Sequence, residues 1–476
     1  MIEDDFVAGT SRLVQSDNLS GTSTLIGSRN FVLSPQPSSS PNDPLNWPLA
    51  RKIWHTFLIC FLTILTAASS NDSGSADGII TKELGLSETS SYLATGVLYI
   101  GIACWAFLIS PMVSLYGHRL PYLICISSGV LGKLWMFLQR NSQDNIWNQL
   151  FMGAFNAVAE ANVQLSLSEI WFDHQRGSVL GVYVLTTSIG TFLGPLVGGF
   201  AVDYLGWRWL ARLSFILISI TLIVFYFGLE ETQFDRHAFF ARVESDNENN
   251  GTDQANNSSE RSHHTKPSLT ELSPYSCRTS TDDGNFTEKR KTYWQRIQLV
   301  TCAPNLKQTG AKQYLKRLYY NLRIFSFPAV YFSGAQWGAQ DAWLSFYLKL
   351  QDEDWLKAPF NYTRSQSALM NIPTIIGVII GCFWGGFLAD YLVLCLARQR
   401  NGITEAEDRL WMMTPCLILS PAGLIIFGIG TAEGWKWFWS YIGLGMIGFG
   451  WGCVGDLSMT YLMDAYPEMV LEGMVG

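Results

Sequence analysis

Charged side chains are scarce inside the apolar runs of this 476-residue chain, and Glu160 stands near the middle of one of them with Asn156, Asn162 and Gln164 close by. A carboxylate in hydrocarbon costs about 2.5–3.5 kcal/mol on insertion scales, so it normally faces a cavity or a partner. Low dielectric favours the protonated form of such a group, the property a proton carrier needs. Glu160 is therefore the first candidate for proton coupling or for contact with a cationic substrate. The alternative is a carboxyl group that hydrogen-bonds a neighbouring helix and never titrates. Gln336, Gln340 and Asp341, then Asn371 and Asp456, are the corresponding polar residues further along the chain. Asp341 also reads as a residue solvated near the outer surface. Trp337, Trp343, Phe383, Trp384, Trp451 and Tyr331 are candidates for an aromatic lining, although more than half of them should face lipid or packing interfaces, where Trp is common.

Other chemistries lack their residues. No Gly-x-Ser-x-Gly turn with a Ser-His-Asp order, Walker loop or zinc signature occurs, and His263 and His264 have no ligand partners nearby. No catalytic residue, metal site or cofactor is expected. The nine cysteines are odd in number, lie mostly in apolar segments and show no CxxC spacing, which argues against a disulfide framework. The net charge of −7 belongs mostly to tails and loops and does not point to nucleic acid.

Residues placed this way need helices that cross a bilayer. The chain is 48% hydrophobic and 15% charged with a mean hydropathy of +0.14, which is displaced from soluble averages. Runs near the ~20 residues that span a membrane fall at about 53–70, 89–113, 120–138, 146–170, 177–202, 207–229, 324–348, 366–391, 409–430 and 437–463. Four parts follow: a disordered tail over 1–50, a six-helix bundle over 51–229, a linker over 230–323 and a second, incomplete bundle of about four helices over 324–476. Within the linker, 240–288 is rich in Ser, Asn, Thr and acids and is expected to be disordered. From Lys289 to Arg323 nine cations occur with no Asp or Glu among them, interleaved with Tyr293, Trp294, Leu315, Leu318 and Tyr319. That pattern suits an amphipathic helix on an anionic leaflet, or simple positive-inside anchoring of the second bundle.

Arg51 and Lys52 precede the first run and place the N-terminus in the cytoplasm. The basic loops Gly117-His118-Arg119, Asp173-His174-Gln175-Arg176 and Arg398-Gln399-Arg400 then fall on the same side. Asn71-Asp72-Ser73 and Asn361-Tyr362-Thr363 fall outside, which makes Asn71 and Asn361 glycosylation candidates. Arg208 and Arg212 lie outside against the rule.

One framework, Gly-x3-Gly-x3-Gly-Gly-Phe-x2-Asp-Tyr-Leu, occurs twice, at 190–205 and 377–392. Gly190, Gly194 and Gly198, with Gly199 beside them, form a side-chain-free stripe, as do Gly377, Gly381 and Gly385 with Gly386. Such stripes bring helix backbones into contact in lipid. The two stripes are expected to face each other antiparallel, with Pro195 bending the fifth helix.

Several of these segments resemble the major facilitator superfamily, in its fungal drug:proton antiporter-like branch. The likeness begins at Asp43-Pro44-Leu45-Asn46-Trp47-Pro48 and continues through Tyr116-Gly117-His118-Arg119-Leu120-Pro121, a degraded loop motif without its usual acidic residue. Val158-Ala159-Glu160 with Ser168 through His174, Arg176 and Gly177 is similar to the family's fourth helix and following loop. Gly190-x3-Gly194-Pro195-x2-Gly198-Gly199 matches its antiporter motif. Arg400 through Arg409 and Tyr461 through Pro467 resemble its loop after helix eight and the end of helix ten.

The resemblance implies an all-α polytopic membrane protein of two bundles with twelve helices, of which about ten are present here, so the chain is read as ending before helices eleven and twelve. It implies a secondary transporter, proton-coupled efflux of a secondary metabolite, toxin or drug being favoured. The other readings are an importer or sensor on the same fold, an inactive shortened transporter and, from another class, a polytopic membrane enzyme. The implied partners are the lipid bilayer, a small-molecule substrate and protons. The implied state is a monomer in the plasma membrane, with a vacuolar or other internal membrane as alternative.

Overall fold

The computed structural model describes residues 10–12, 37–72, 74–85, 87–236, 239–240, 290–301, 310–400 and 403–466. Expectations for 241–288, and for Asn401 and Gly402 of the loop motif, fall outside these residues. Among the described residues, eight helices are long and apolar enough to cross a membrane: Leu49–Asn71, Thr89–Tyr116, Arg119–Leu138, Ser178–Leu205, Trp207–Gly228, Arg364–Gln399, Ala406–Ala432 and Trp437–Ala465. Two more are of crossing length but more polar. One runs from Ser142 through a π-helical turn at Ala159–Val163 to Ile170, and the other is Pro328–Glu353. In chain order these ten are called the first to tenth crossings. The end bearing Arg119 and Arg400 is called the inner end, after the charge argument above.

Local chemistry sets the helix ends. The second crossing starts where the Ser87 side chain accepts from Ser90 N at 3.3 Å, and it stops at Gly117, whose φ of +92° few other residues adopt. Gly206, at φ +84°, turns the chain between the fifth and sixth crossings. Between the first two crossings lies the short helix Gly74–Leu84, which periodicity did not separate from the loop. It accounts for the outer arginines. Glu83 pairs with Arg208 at 2.5 Å, while Arg212 lies over the Phe137 and Trp209 rings at 4.6 and 5.0 Å.

The expectation of a disordered tail over 1–50 needs correction at two places. The Asp43-Pro44-Leu45-Asn46-Trp47-Pro48 segment is folded against the inner end, with Asp43 fully buried. Its carboxylate accepts from Ser38 N, Ser38 Oγ and Leu45 N at 2.9–3.0 Å and from Arg236 at 3.3 Å, which compensates its burial. Thr10–Arg12 also pairs antiparallel with Ile403–Glu405, a two-stranded clip on an otherwise helical chain.

The glycine stripes do not face each other. A Cβ on Gly190 would lie 2.5 Å from Ile64 O and 2.9 Å from the Ala67 Cβ, and one on Gly194 would strike Ala68 O, so the stripe of the fifth crossing is filled by the first. Gly198 is buried on the same helix. Gly377 and Gly381 abut the backbone at Gly445 and Phe449, so the stripe of the eighth crossing is filled by the tenth. A Cβ on Gly385 would lie 3.1 Å from Cys453 O, which continues the contact. Each stripe therefore closes a pair within its own half.

The fifth and eighth crossings do meet, on other residues. A Cβ on Gly199 would lie 2.7 Å from the Ala368 Cβ, and one on Gly181 would lie 3.5 Å from the Gly386 Cα. The aspartates of the two frameworks bond across this seam at opposite ends. Asp203 accepts from Ser365 N and Oγ at 2.9 and 2.6 Å, and Asp390 accepts from Ser178 Oγ at 3.1 Å. The halves share a plan: a Cβ on Gly101 of the second crossing would lie 3.3 Å from the Gly153 Cα of the fourth, as the eighth abuts the tenth. The eighth crossing is thus the counterpart of the second and not of the fifth.

Backbone cannot yield to a new side chain, and overpacking typically costs about 1–3 kcal/mol. Gly194→Leu and Gly377→Leu should lower the apparent Tm of the detergent-solubilised protein. Gly334→Leu should leave it unchanged, because a Cβ there meets nothing within 4 Å.

Candidate functional site

A cavity of about 820 Å³ lies between the two halves, walled by the first, second, fourth, fifth, seventh and tenth crossings. Its floor is formed by Asn156, Glu160, Thr187, Trp337, Asp341 and Trp451, and its wall rises to Asp77, Lys82, Glu353 and Arg364 at the outer end. The fourth and seventh crossings supply Asn156, Glu160 and Asp341, which explains why these two helices are the polar ones.

Glu160 sits in the π-helical turn Ala159–Val163. The wider turn frees a backbone carbonyl that an α-helix would engage. Here Tyr183 from the fifth crossing donates its hydroxyl to Ala159 O at 3.3 Å, and Gln164 Nε2 donates to Tyr183 Oη at the same distance. Gln164 is thus a buried support behind the floor. Asn156 reaches the cavity with both side-chain amide atoms buried and without a hydrogen-bond partner among the described residues.

Asp341 lines the same cavity from the opposite half. It is not solvated at the outer surface. Neither carboxyl group forms an ion pair with a described residue, while the Trp337 and Trp451 ring centroids lie 4.9 Å apart, tilted by 45°, on the same cavity wall. Phe192 meets Trp451 edge-on at 6.1 Å. Of the other aromatic candidates, Trp343, Phe383 and Tyr331 are exposed and do not line the cavity, and Trp384 donates to Met412 O at 3.1 Å in a helix contact.

The remaining sequence candidates lie elsewhere. Gln336 and Gln340 share the seventh crossing with Asp341 but do not line the cavity. Asn371 is fully buried at the outer part of the eighth crossing and donates to Ala368 O at 3.1 Å. Asp456 is fully buried at the seam, where a Cβ on Gly181 would lie 3.2 Å from its Oδ2. His174, Arg176 and Gly177 are in the first turns of the helix Asp173–Leu205, and their side chains fall outside the described residues. Asn71 lines the cavity and donates to Ala67 O at 3.0 Å from the last turn of a helix, so it lacks the exposed acceptor geometry that a glycan needs. Asn361 is exposed in the outer loop at φ +49°.

At the inner end the missing acid of the loop motif is supplied from far along the chain. Glu231 accepts from His118 N and Arg119 N at 3.0 and 3.2 Å, and a Cβ on Gly117 would lie 2.5 Å from its Oε2. The Arg119 side chain donates to Tyr226 O. The buried His118 ring, in the loop between the second and third crossings, has Nδ1 2.6 Å from Asn162 Oδ1 and Nε2 3.1 Å from Glu169 Oε2. Burial disfavours its charge, but Glu169, then Glu231 and Asn162, outweigh burial and push His118 up to about 9. In the other half Arg409 pairs with Asp390 at 2.7 Å and Asp464 at 2.6 Å, and Arg400 pairs with Glu405 and Asp408 at 3.0 Å.

Sequence reasoning overlooked a further buried pair. Lys133 Nζ lies 2.8 Å from both Asp72 oxygens, and Ser214 Oγ donates to the same carboxylate at 2.9 Å. A lysine within the third apolar run was the available signal.

The sequence model described as Major Facilitator Superfamily matches residues 57–474. An uncharacterized MFS-type transporter of Schizosaccharomyces pombe is 46% identical over 458 residues, covering 94% of this chain and 79% of that protein. Protein HOL1 of Saccharomyces cerevisiae is 42% identical over 505 residues, covering 99% and 86%. Neither printed name specifies export or antiport. Among solved structures, the proton:xylose symporter XylE aligns with a TM-score of 0.54 at 12% identity, covering 90% of this chain and 86% of that one, a likeness of fold.

The charged form of His118 is stabilised by folding, so its contribution is complete below the ordinary value of 6.5 and is lost as pH rises through about 9. The gap between the two values corresponds to on the order of 3 kcal/mol. The apparent Tm of the solubilised protein should fall across this window, and His118→Gln should flatten the profile there. A wild-type profile that is flat between these values would refute the pairing.

Proposed function

The chain belongs to the major facilitator superfamily, and from that premise we propose that it moves a small organic cation across the membrane by alternating access, in exchange for protons. The carrying observation is the pair of carboxyl groups, Glu160 and Asp341, offered by opposite halves to one cavity floor beside the Trp337 and Trp451 rings. Two like charges in a confined, weakly polar space repel, and a proton or a cationic ligand relieves that repulsion. Aromatic faces add attraction for a cation. Proton and substrate therefore compete for the same groups, which is the thermodynamic basis of exchange.

Export is the direction supported by the likeness of Gly190 through Gly199 to antiporter motifs, and a secondary metabolite, toxin or drug with a protonatable amine is the fitting cargo. The enclosure of the cavity by one chain supports a monomeric carrier. Arg51 and Lys52 support a cytoplasmic N-terminus, the plasma membrane is the proposed location, and Asn361 is the proposed glycosylation site.

Reconstituted vesicles loaded with a fluorescent organic cation and subjected to an imposed pH difference test the reading in both directions. Wild-type protein should move the dye against the proton gradient. Glu160→Gln should leave residual movement that no longer responds to pH, and Asp341→Asn should weaken dye affinity roughly tenfold, the equivalent of about 1.4 kcal/mol. Unchanged pH-dependent movement in Glu160→Gln would remove that residue from coupling, and movement of neutral dyes alone would remove the cation reading.

A further inference from the structure

We propose that the surface helix Ala311–Arg323 is a binding site for anionic phospholipid of the inner leaflet. The helix lies against the inner third of the second crossing, where Tyr314 donates its hydroxyl to Leu108 O at 2.9 Å, and it continues through the turn Ile324–Ser326 into the inner end of the seventh crossing at Pro328. It therefore lies at the level where acyl chains give way to headgroups.

Its sequence segregates around the axis at 100° per residue. Tyr314, Leu318 and Asn321 turn toward the protein, Asn321 being buried. Of the outward arc, one side carries Leu315, Tyr319 and Leu322, exposed at 64%, 65% and 58%. The adjoining side carries Lys312, Lys316 and Arg323, which are exposed and enter no ion pair with a described residue. No acidic residue occurs in the helix.

An apolar strip bordered by cations matches a leaflet of anionic lipid, the strip meeting acyl chains and the cations meeting phosphates. A soluble acidic partner would be served by the cations but would leave the leucines and tyrosine in water. The neighbouring Leu108 of the second crossing is itself exposed, so the strip is continuous with lipid-facing surface. The bilayer is accordingly the occupant, and the charge selects which lipid.

The full chain in detergent, offered equal amounts of phosphatidylserine and phosphatidylcholine and analysed by native mass spectrometry, should retain phosphatidylserine preferentially. That preference should fall about fivefold for each of Lys312→Gln, Lys316→Gln and Arg323→Gln, the equivalent of about 1 kcal/mol per cation. Amide hydrogen exchange over 311–323 should slow in nanodiscs containing phosphatidylserine relative to phosphatidylcholine alone, and raised salt should reverse the effect in wild-type protein without any substitution. The salt arm stands even if the triple variant fails to fold. Equal retention of the two lipids, a preference untouched by the triple substitution, or equal protection in lipid-free detergent would overturn the proposal, the last by showing that the chain itself covers the helix.

Discussion

Helices in hydrocarbon gain nothing by hiding apolar side chains from equally apolar lipid, so this chain is held together where backbones can touch. Gly190 and Gly194 admit the first crossing, and Gly377 and Gly381 admit the tenth. These contacts are internal to each half. Between the halves the fifth and eighth crossings touch at Gly199 against Ala368 and Gly181 against Gly386, with one aspartate–serine contact at each end. Backbone contact thus closes pairs inside each bundle, while side-chain contacts such as Phe192 against Trp451 and Gln164 against Met459 join the halves.

The same solvent governs the charges. Lys133 with Asp72, Arg409 with Asp390 and Asp464, and His118 with Glu169 are each matched within about hydrogen-bond reach. Removing one partner of such a pair leaves a stranded charge, which costs more than the pair contributes. Glu160 and Asp341 differ because the cavity stands where a partner would be. The polarity that weakens the fourth and seventh crossings as membrane segments is the polarity of the cavity wall.

The π-helical turn joins these two themes. It sets Glu160 toward the cavity and Asn162 toward His118, so the cavity floor and the inner-end network are carried by one five-residue segment of backbone. Tyr183 accommodates the irregularity by bonding the carbonyl that the turn releases. A displacement of that turn would move both side chains together.

Much of this was legible in the residues alone. Apolar run length located the eight long apolar helices and the two more polar ones of crossing length because a bilayer has a definite thickness, and the cost of charge in lipid drew attention first to Glu160, with Asp341 as one of several candidates in the second half. Spacing made the glycine stripes visible but not their partners, since a stripe states only that some backbone approaches. The acid serving Gly117-His118-Arg119 was invisible because Glu231 is 113 residues away from His118 in sequence and adjacent only in space. Asn71 read as a glycan acceptor until its helix and its place in the cavity were seen, and Asp43 read as part of a solvated tail until its hydrogen bonds were. Sequence by itself determined which segments enter the membrane and which side chains are expensive there, because both follow from transfer out of water, a property of each residue. Tertiary structure decided which stripe meets which helix, which charge finds a partner and which two carboxyl groups share a cavity, because those depend on distances between residues far apart along the chain.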